Sequence, residues 1–101
     1  MDTDELSTEI YKAIFIEAEK LSHDLTLQFG LLADSCNGET DYIESAKKLI
    51  TEIKTLNKAE LSYMFFGSPP PENKLLLKLD MIMKNIAEVE KIPPDKRHYD
   101  F

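Results

Sequence analysis

Residues 41–56 read DYIESAKKLITEIKTL, and this stretch has the most regular hydrophobic pattern in the chain. Its apolar side chains recur at intervals of three and four residues, which is the spacing of one face of an α-helix. The lysines and threonines between them fall on the opposite face. The stretch therefore predicts an amphipathic helix, and the segments around it must supply the surface on which its apolar face is buried.

Three further helices are predicted from the rest of the chain. Residues 6–32 keep the helical period throughout and predict one long first helix. Asn57 and Glu60 have the spacing of a capping box, which predicts the start of a short third helix over residues 58–66. Residues 71–91, with Pro71 at the first helical position, predict a fourth. The expected fold class is therefore all-α, a small four-helix bundle that forms one domain over residues 1–92. Residues 93–101 form a polar C-terminal tail that is loosely packed or disordered. Alternatively, residues 99–101 and the short third helix fold back over the outer face of a neighbouring helix.

The helical patterns also predict which side chains form the core. Each predicted helix places a stripe of aliphatic or aromatic residues on one face, and these stripes must meet in the middle of the bundle. The expected core contains Leu21, Leu25, Ile50, Ile53, Phe65, Leu79, Ile82 and Ile86.

The connection ADSCNGETDYIE, which begins at Ala33, has part of the pattern of a calcium-binding EF-hand loop. With Gly38 at the sixth position, Asn37, Asp41 and Glu44 fall where the loop needs oxygen ligands. The first position, which should carry a carboxylate, is occupied by alanine. We therefore expect a helix connection instead, in which Asn37-Gly38 ends the first helix and Asp41 with Glu44 forms a capping box that opens the second.

The charge of the chain limits the kind of partner it can have. The formal net charge is −7, which argues against nucleic acid, because binding to phosphates depends on Lys and Arg. No segment has the length and hydrophobicity of a membrane span, and a negative chain has no attraction to anionic lipid surfaces. The charge is uneven: residues 1–45 carry eleven acids and two lysines, net −9, whereas residues 46–101 carry eight acids and ten bases, net +2.

Few residues suggest chemistry. Glu19 and His23 are four positions apart and can share a helix face, but two ligands do not make a metal site. Cys36 is the only cysteine, so an internal disulfide is impossible and a reducing, cytoplasmic setting is the simplest interpretation. Thiol catalysis would need a base beside Cys36, and the sequence places none there. We expect no catalytic residue, no metal and no cofactor.

The remaining feature is a set of apolar residues on the outer faces of two predicted helices. Ile16 and Leu27 fall behind the core stripe of the first helix, and Leu77 and Met81 fall behind that of the fourth. Single exposed apolar residues are ordinary, but pairs on two helices indicate a second buried surface. Either these helices are sandwiched within the bundle, or the four residues form an interface with another chain.

These observations predict a small acidic protein of bacterial type that acts through protein–protein interaction and self-associates, with a homodimer as the expected state. Two other functions remain open from the sequence. One is a small inhibitory or immunity-type protein that binds a single target. The other is a metal- or thiol-dependent enzyme that uses Glu19, His23 or Cys36.

Overall fold

The computed structural model describes residues 1–99, of which 73% are helical and none lies in a β-strand. The predicted all-α class is therefore confirmed. The described residues form five helices: α1 (residues 8–19), α2 (His23–Ala33), α3 (Glu39–Thr55), α4 (Lys58–Met64) and α5 (Glu72–Glu90). Short 3-10 turns, Thr3–Glu5 and Pro94–Lys96, lie before α1 and after α5. Within the described part of the chain, no helix is both long enough and apolar enough to cross a membrane.

The prediction of one long first helix is wrong, because the chain turns between α1 and α2. Ser22 adopts an extended backbone and its hydroxyl accepts a hydrogen bond from the backbone N–H of Leu25 at 3.4 Å. A serine hydroxyl competes in this way for the backbone donors that a continuous helix would use internally. The turn lets α2 fold back and pack against both α1 and α3, which is why the bundle has five helices and not four.

α1 is itself irregular. Its centre, Lys12–Ile16, is a π-helical turn between two short α-helical segments, Thr8–Tyr11 and Glu17–Glu19. A π turn contains more residues per turn than an α-helix, so the side chains that follow it are rotated away from their regular positions. A helical wheel drawn at a constant angle per residue therefore loses accuracy for the residues after Ile16.

The α2–α3 connection also differs from its prediction. Gly38 is the N-cap of α3, and its φ of 104° lies in the region that favours glycine. α3 therefore begins at Glu39, two residues before Asp41, and the expected Asp41–Glu44 capping box does not form. The Asp41 carboxylate instead accepts a hydrogen bond from the backbone N–H of Asn37 at 2.9 Å.

The capping box predicted between Asn57 and Glu60 is confirmed, with both of its hydrogen bonds present at 3.0 and 2.9 Å. α4 ends at Met64 in a Schellman arrangement, in which the backbone N–H of Gly67 bonds to the carbonyl of Ser62 at 2.7 Å. Phe66 occupies the left-handed position of this motif with a φ of 52°, which is costly for a bulky side chain.

The core lies where α1, α2, α3 and α5 meet. Helices α1 and α3 each pack against both α2 and α5. Seven of the eight predicted core residues are buried. The exception is Leu21, which is only partly buried because it lies in the turn between α1 and α2. The buried members of the predicted set are Leu25, Ile50, Ile53, Phe65, Leu79, Ile82 and Ile86.

The described part of the tail folds back on the helices. Arg97 donates to the Glu39 carboxylate at 2.7 Å, and the next residue, His98, contacts Glu9 of α1 at 2.8 Å. These contacts hold the described part of the tail against the N-terminal ends of α1 and α3. Residues 100 and 101 lie outside the part that the structure describes.

Candidate interaction surface

The four residues predicted to form an interface are all on the molecular surface. Their exposed fractions are 43% for Ile16, 42% for Leu27, 68% for Leu77 and 45% for Met81. At these exposures, neither α4 nor the described part of the tail, residues 93–99, buries any of the four. Residues 100 and 101, which also belong to the alternative of a folded-back tail, lie outside the described residues. They are therefore available to a partner, and their role as an interface stays a prediction.

An ion pair joins two of the helices that carry these residues. The Lys78 ammonium of α5 donates to the Glu17 carboxylate of α1 at 2.9 Å, and both side chains are only about one-sixth exposed (15% and 16%). The hydrogen bond from Lys78, followed by that from Lys20, lowers the pKa of Glu17 below its ordinary value. A largely buried pair of this kind is stabilised more than a fully solvated one, because water screens it less.

The apolar residues lie around this ion pair. The Lys78 ammonium also contacts the sulfur of Met81 at 3.7 Å, and Leu77 precedes Lys78 in the chain just as Ile16 precedes Glu17. Ile16, Leu77 and Met81, together with the Lys78–Glu17 pair, are called the seam surface below. It follows the line along which α1 and α5 meet.

Leu27 lies away from the seam surface, on α2. One continuous helix would place Leu27 on the same outer face as Ile16, but the turn at residues 20–22 removes that relation. Its neighbour on the outer face of α2 is Leu31, four residues later and 63% exposed. Leu31 was not anticipated from the sequence, although its spacing of four residues from Leu27 places both on one helix face.

Two shallow depressions adjoin the seam surface along α1, and Tyr11 and Ile16 line both of them. Asp4 lines only the first depression, and Glu19 lines only the second. Below Tyr11, the ring of Phe15 stacks at 5.2 Å and leads to the fully buried ring of Tyr42 at 6.3 Å. The two depressions together form a groove along α1. The apolar floor of this groove is continuous with the core and is held by aromatic packing.

A second group of exposed aromatic residues, not anticipated from the sequence, lies at the end of α4. Tyr63 is 89% exposed and Phe66 is 74% exposed, and both line a depression of about 660 Å³ that also includes Gln28 of α2. The Gln28 amide donates to the carbonyl of Met64 at 3.5 Å and joins α2 to α4. No regular pattern marks these aromatics, because each falls near a helix end where periodicity stops.

The residues considered for chemistry do not form a reactive group among residues 1–99. Glu19 and His23 contact each other at 3.3 Å on the surface, and hydrogen bonds from Thr26 and then His23 lower the pKa of Glu19. Cys36 is 3% exposed and its thiol donates to the carbonyl of Leu32 at 3.3 Å. Over the same range, no cluster of three or more metal-binding side chains is found.

Comparison with known proteins gives no relative from which a function could be transferred. No protein-family model matches the chain, and no curated protein or solved structure gives a significant match. The function must therefore be argued from the residues and surfaces of this chain.

Proposed function

We propose that this protein is a non-catalytic, cytoplasmic interaction protein that self-associates as a homodimer through the seam surface. The observation that carries the proposal is the exposure of Ile16, Leu77 and Met81 around the largely buried Lys78–Glu17 ion pair. Large aliphatic side chains that surround a partly desolvated charge pair are typical of a surface that becomes fully covered on association.

The position of this surface suits a two-fold dimer. A standard protein interface buries about 800 Å² on each partner, and this chain exposes 6149 Å² in total. One helix face is too narrow to supply such an area. Two adjacent helices, α1 and α5, present their outer faces together at the seam, and a symmetric contact uses the same faces on both copies.

The chemical environment of the remaining candidates favours interaction over catalysis. The Glu19–His23 pair is an exposed surface pair, in which each side chain is more than half accessible (55% and 71%). The buried thiol of Cys36 bonds to a backbone carbonyl and not to a base that could activate it. We therefore assign neither group a reaction.

Sedimentation at micromolar concentration tests the proposal, by comparing wild type with Leu77→Glu/Met81→Glu. Wild type should sediment as a dimer and the double variant as a monomer, because two buried carboxylates at the seam would be uncompensated. Thr51→Glu/Ala59→Glu is the matched control, since it adds the same charge at exposed positions on α3 and α4. This control should remain a dimer. A monomeric wild type would refute the proposal.

A further inference from the structure

The described part of the C-terminal tail is fastened to the helices without contributing a side chain to the core. None of residues 93–99 is buried, and Arg97 is the only one in this range that is not exposed. The segment is therefore held by polar contacts and not by hydrophobic burial. Segments with few buried apolar contacts open at a lower free energy than the core does. We call residues 93–99 the strap.

Polar contacts fasten the strap at two helix ends. At α3, the Arg97 guanidinium donates to the Glu39 carboxylate at 2.7 Å. At α1, the backbone N–H of His98 donates to the Glu9 carboxylate at 2.7 Å, and the carbonyl of His98 accepts from the backbone N–H of Thr8 at 2.7 Å. The N–H of Thr8 has no acceptor inside the helix that it begins. The strap therefore supplies a cap to α1 from the other end of the chain.

The strap is also braced internally. The backbone N–H of Lys96 bonds to the carbonyl of Pro93 at 2.9 Å, and the Nε of Arg97 donates to the carbonyl of Ile92 at 3.0 Å. Pro93 and Pro94 each have a φ that is fixed by the ring. A segment with its own hydrogen bonds and two fixed dihedral angles keeps its shape when it leaves the helices. The hinge then falls at the end of α5, just before the strap.

We infer that the strap opens as a unit while the five helices stay folded, and that Arg97 holds it closed. The inference concerns the single chain and does not rest on the proposed dimer. Opening separates Arg97 from Glu39 and His98 from Glu9, so that both carboxylates lose their partners in the strap and meet water. The closed strap therefore masks an acidic surface at the N-terminal ends of α1 and α3.

Native-state hydrogen exchange, followed by NMR at increasing sub-denaturing urea, tests whether the strap opens by itself. The amide of Thr8 reports on the strap, and the amide of Ile82 reports on the core, because that side chain is 0% exposed in α5. The protection factor of Thr8 should be lower than that of Ile82 by about tenfold or more. It should also change little with urea, since opening the strap exposes little surface, whereas protection of Ile82 should fall steeply.

Arg97→Met tests whether the strap moves as a unit. The substitution acts at α3, but the amide of Thr8 lies at α1 and can respond only if the two fastenings are released together. Protection of Thr8 should fall by about tenfold or more without urea, because Glu39 lacks its counter-charge in the closed form. Adding Glu39→Gln to the same chain should restore most of this protection. Lys91→Met, which breaks an exposed pair with Glu88 ahead of the strap, is the matched control and should leave Thr8 unchanged.

Three results would overturn the inference. Equal protection and equal urea dependence of Thr8 and Ile82 in wild type would mean that the strap opens only when the whole chain unfolds. An unprotected Thr8 amide would mean that the strap is not closed. Protection of Thr8 that does not respond to Arg97→Met would indicate fraying of α1 alone. Should Arg97→Met fail to fold, Arg97→Lys replaces it, with a smaller fall expected because lysine keeps the charge but lacks the guanidinium fork.

Discussion

The contact between Arg97 and Glu39 should be the most important polar interaction for the stability of this fold. The two side chains are 6% and 9% exposed, and the guanidinium donates to the carboxylate at 2.7 Å. Glu39 also accepts hydrogen bonds from the backbone N–H of Ser7 and from the hydroxyl of Tyr99. The Glu39 carboxylate therefore connects the start of α3 to the segment before α1 and to the C-terminal tail.

Arg97→Met removes the cation while keeping a side chain of similar reach. The Glu39 carboxylate would remain in a buried position without its counter-charge, and breaking a buried pair in this way costs about 3–5 kcal/mol. The variant also loses the hydrogen bond from the Arg97 Nε to the carbonyl of Ile92, at 3.0 Å. Because domains of this size are stable by about 5–15 kcal/mol, we expect a loss of about 3 kcal/mol, a large fraction of the total.

Urea unfolding followed by far-ultraviolet circular dichroism measures this loss. Glu39→Gln/Arg97→Met should recover at least half of it, since no uncompensated charge is then buried. Lys91→Met is the matched control, because it breaks an exposed pair with Glu88, in which the side chains are 72% and 62% accessible. The control should cost less than about 0.5 kcal/mol. Equal effects of Arg97→Met and Lys91→Met would refute the reasoning.

The other predictions concern pH, backbone strain, packing and calcium. The hydrogen bonds from His98 lower the pKa of Glu9 from 4.5 to about 2, so this carboxylate stabilises the fold above its unfolded pKa and the contribution is lost as the pH falls from 4.5 towards 2. Glu9→Gln should flatten the unfolding free energy measured over that range, and an unchanged pH dependence would contradict this cause. Phe66→Asn should raise stability by about 1 kcal/mol in thermal melts, because asparagine tolerates the positive φ of 52° and the ring is 74% exposed; a lower melting temperature would be evidence against strain. Ile53→Ala should cost about 2–5 kcal/mol in urea unfolding, since the side chain is 2% exposed, and a loss under about 0.5 kcal/mol would place it outside the core. Melts with millimolar calcium and with chelator should coincide, because Ala33 supplies no carboxylate to the loop; stabilisation by calcium alone would overturn that interpretation.

Much of the fold could be predicted because its determinants are local. The stretch at residues 41–56 forms Glu39–Thr55, and the last predicted helix, 71–91, forms Glu72–Glu90. The Asn57–Glu60 capping box depends on two side chains and the backbone between them, so the sequence was sufficient to locate it. Each of these features is decided within one or two turns of helix, which is the range over which a periodic pattern carries information.

The candidate surface was predictable only in part. The helical pattern placed Leu77 and Met81 on the outer face of the last helix, where they are exposed. It could not show that Lys78 reaches Glu17, 61 positions earlier in the chain, which joins these residues to Ile16 in one surface. Contacts between distant segments depend on how the helices pack, and no periodicity in one helix specifies its neighbour.

The sequence by itself determined the helical class of this protein, the extent of its regular helices and most of its core. Only the tertiary structure decided that the first predicted helix divides at Ser22. A continuous helix would satisfy the same backbone hydrogen bonds locally, so propensity alone does not choose between the two forms. The choice depends on burial: folded back, α2 places Leu25 and Phe29 in the core at 0% exposure. Removing those side chains from water stabilises the turn more than the interrupted helix costs, and that gain exists only when the other helices are in place.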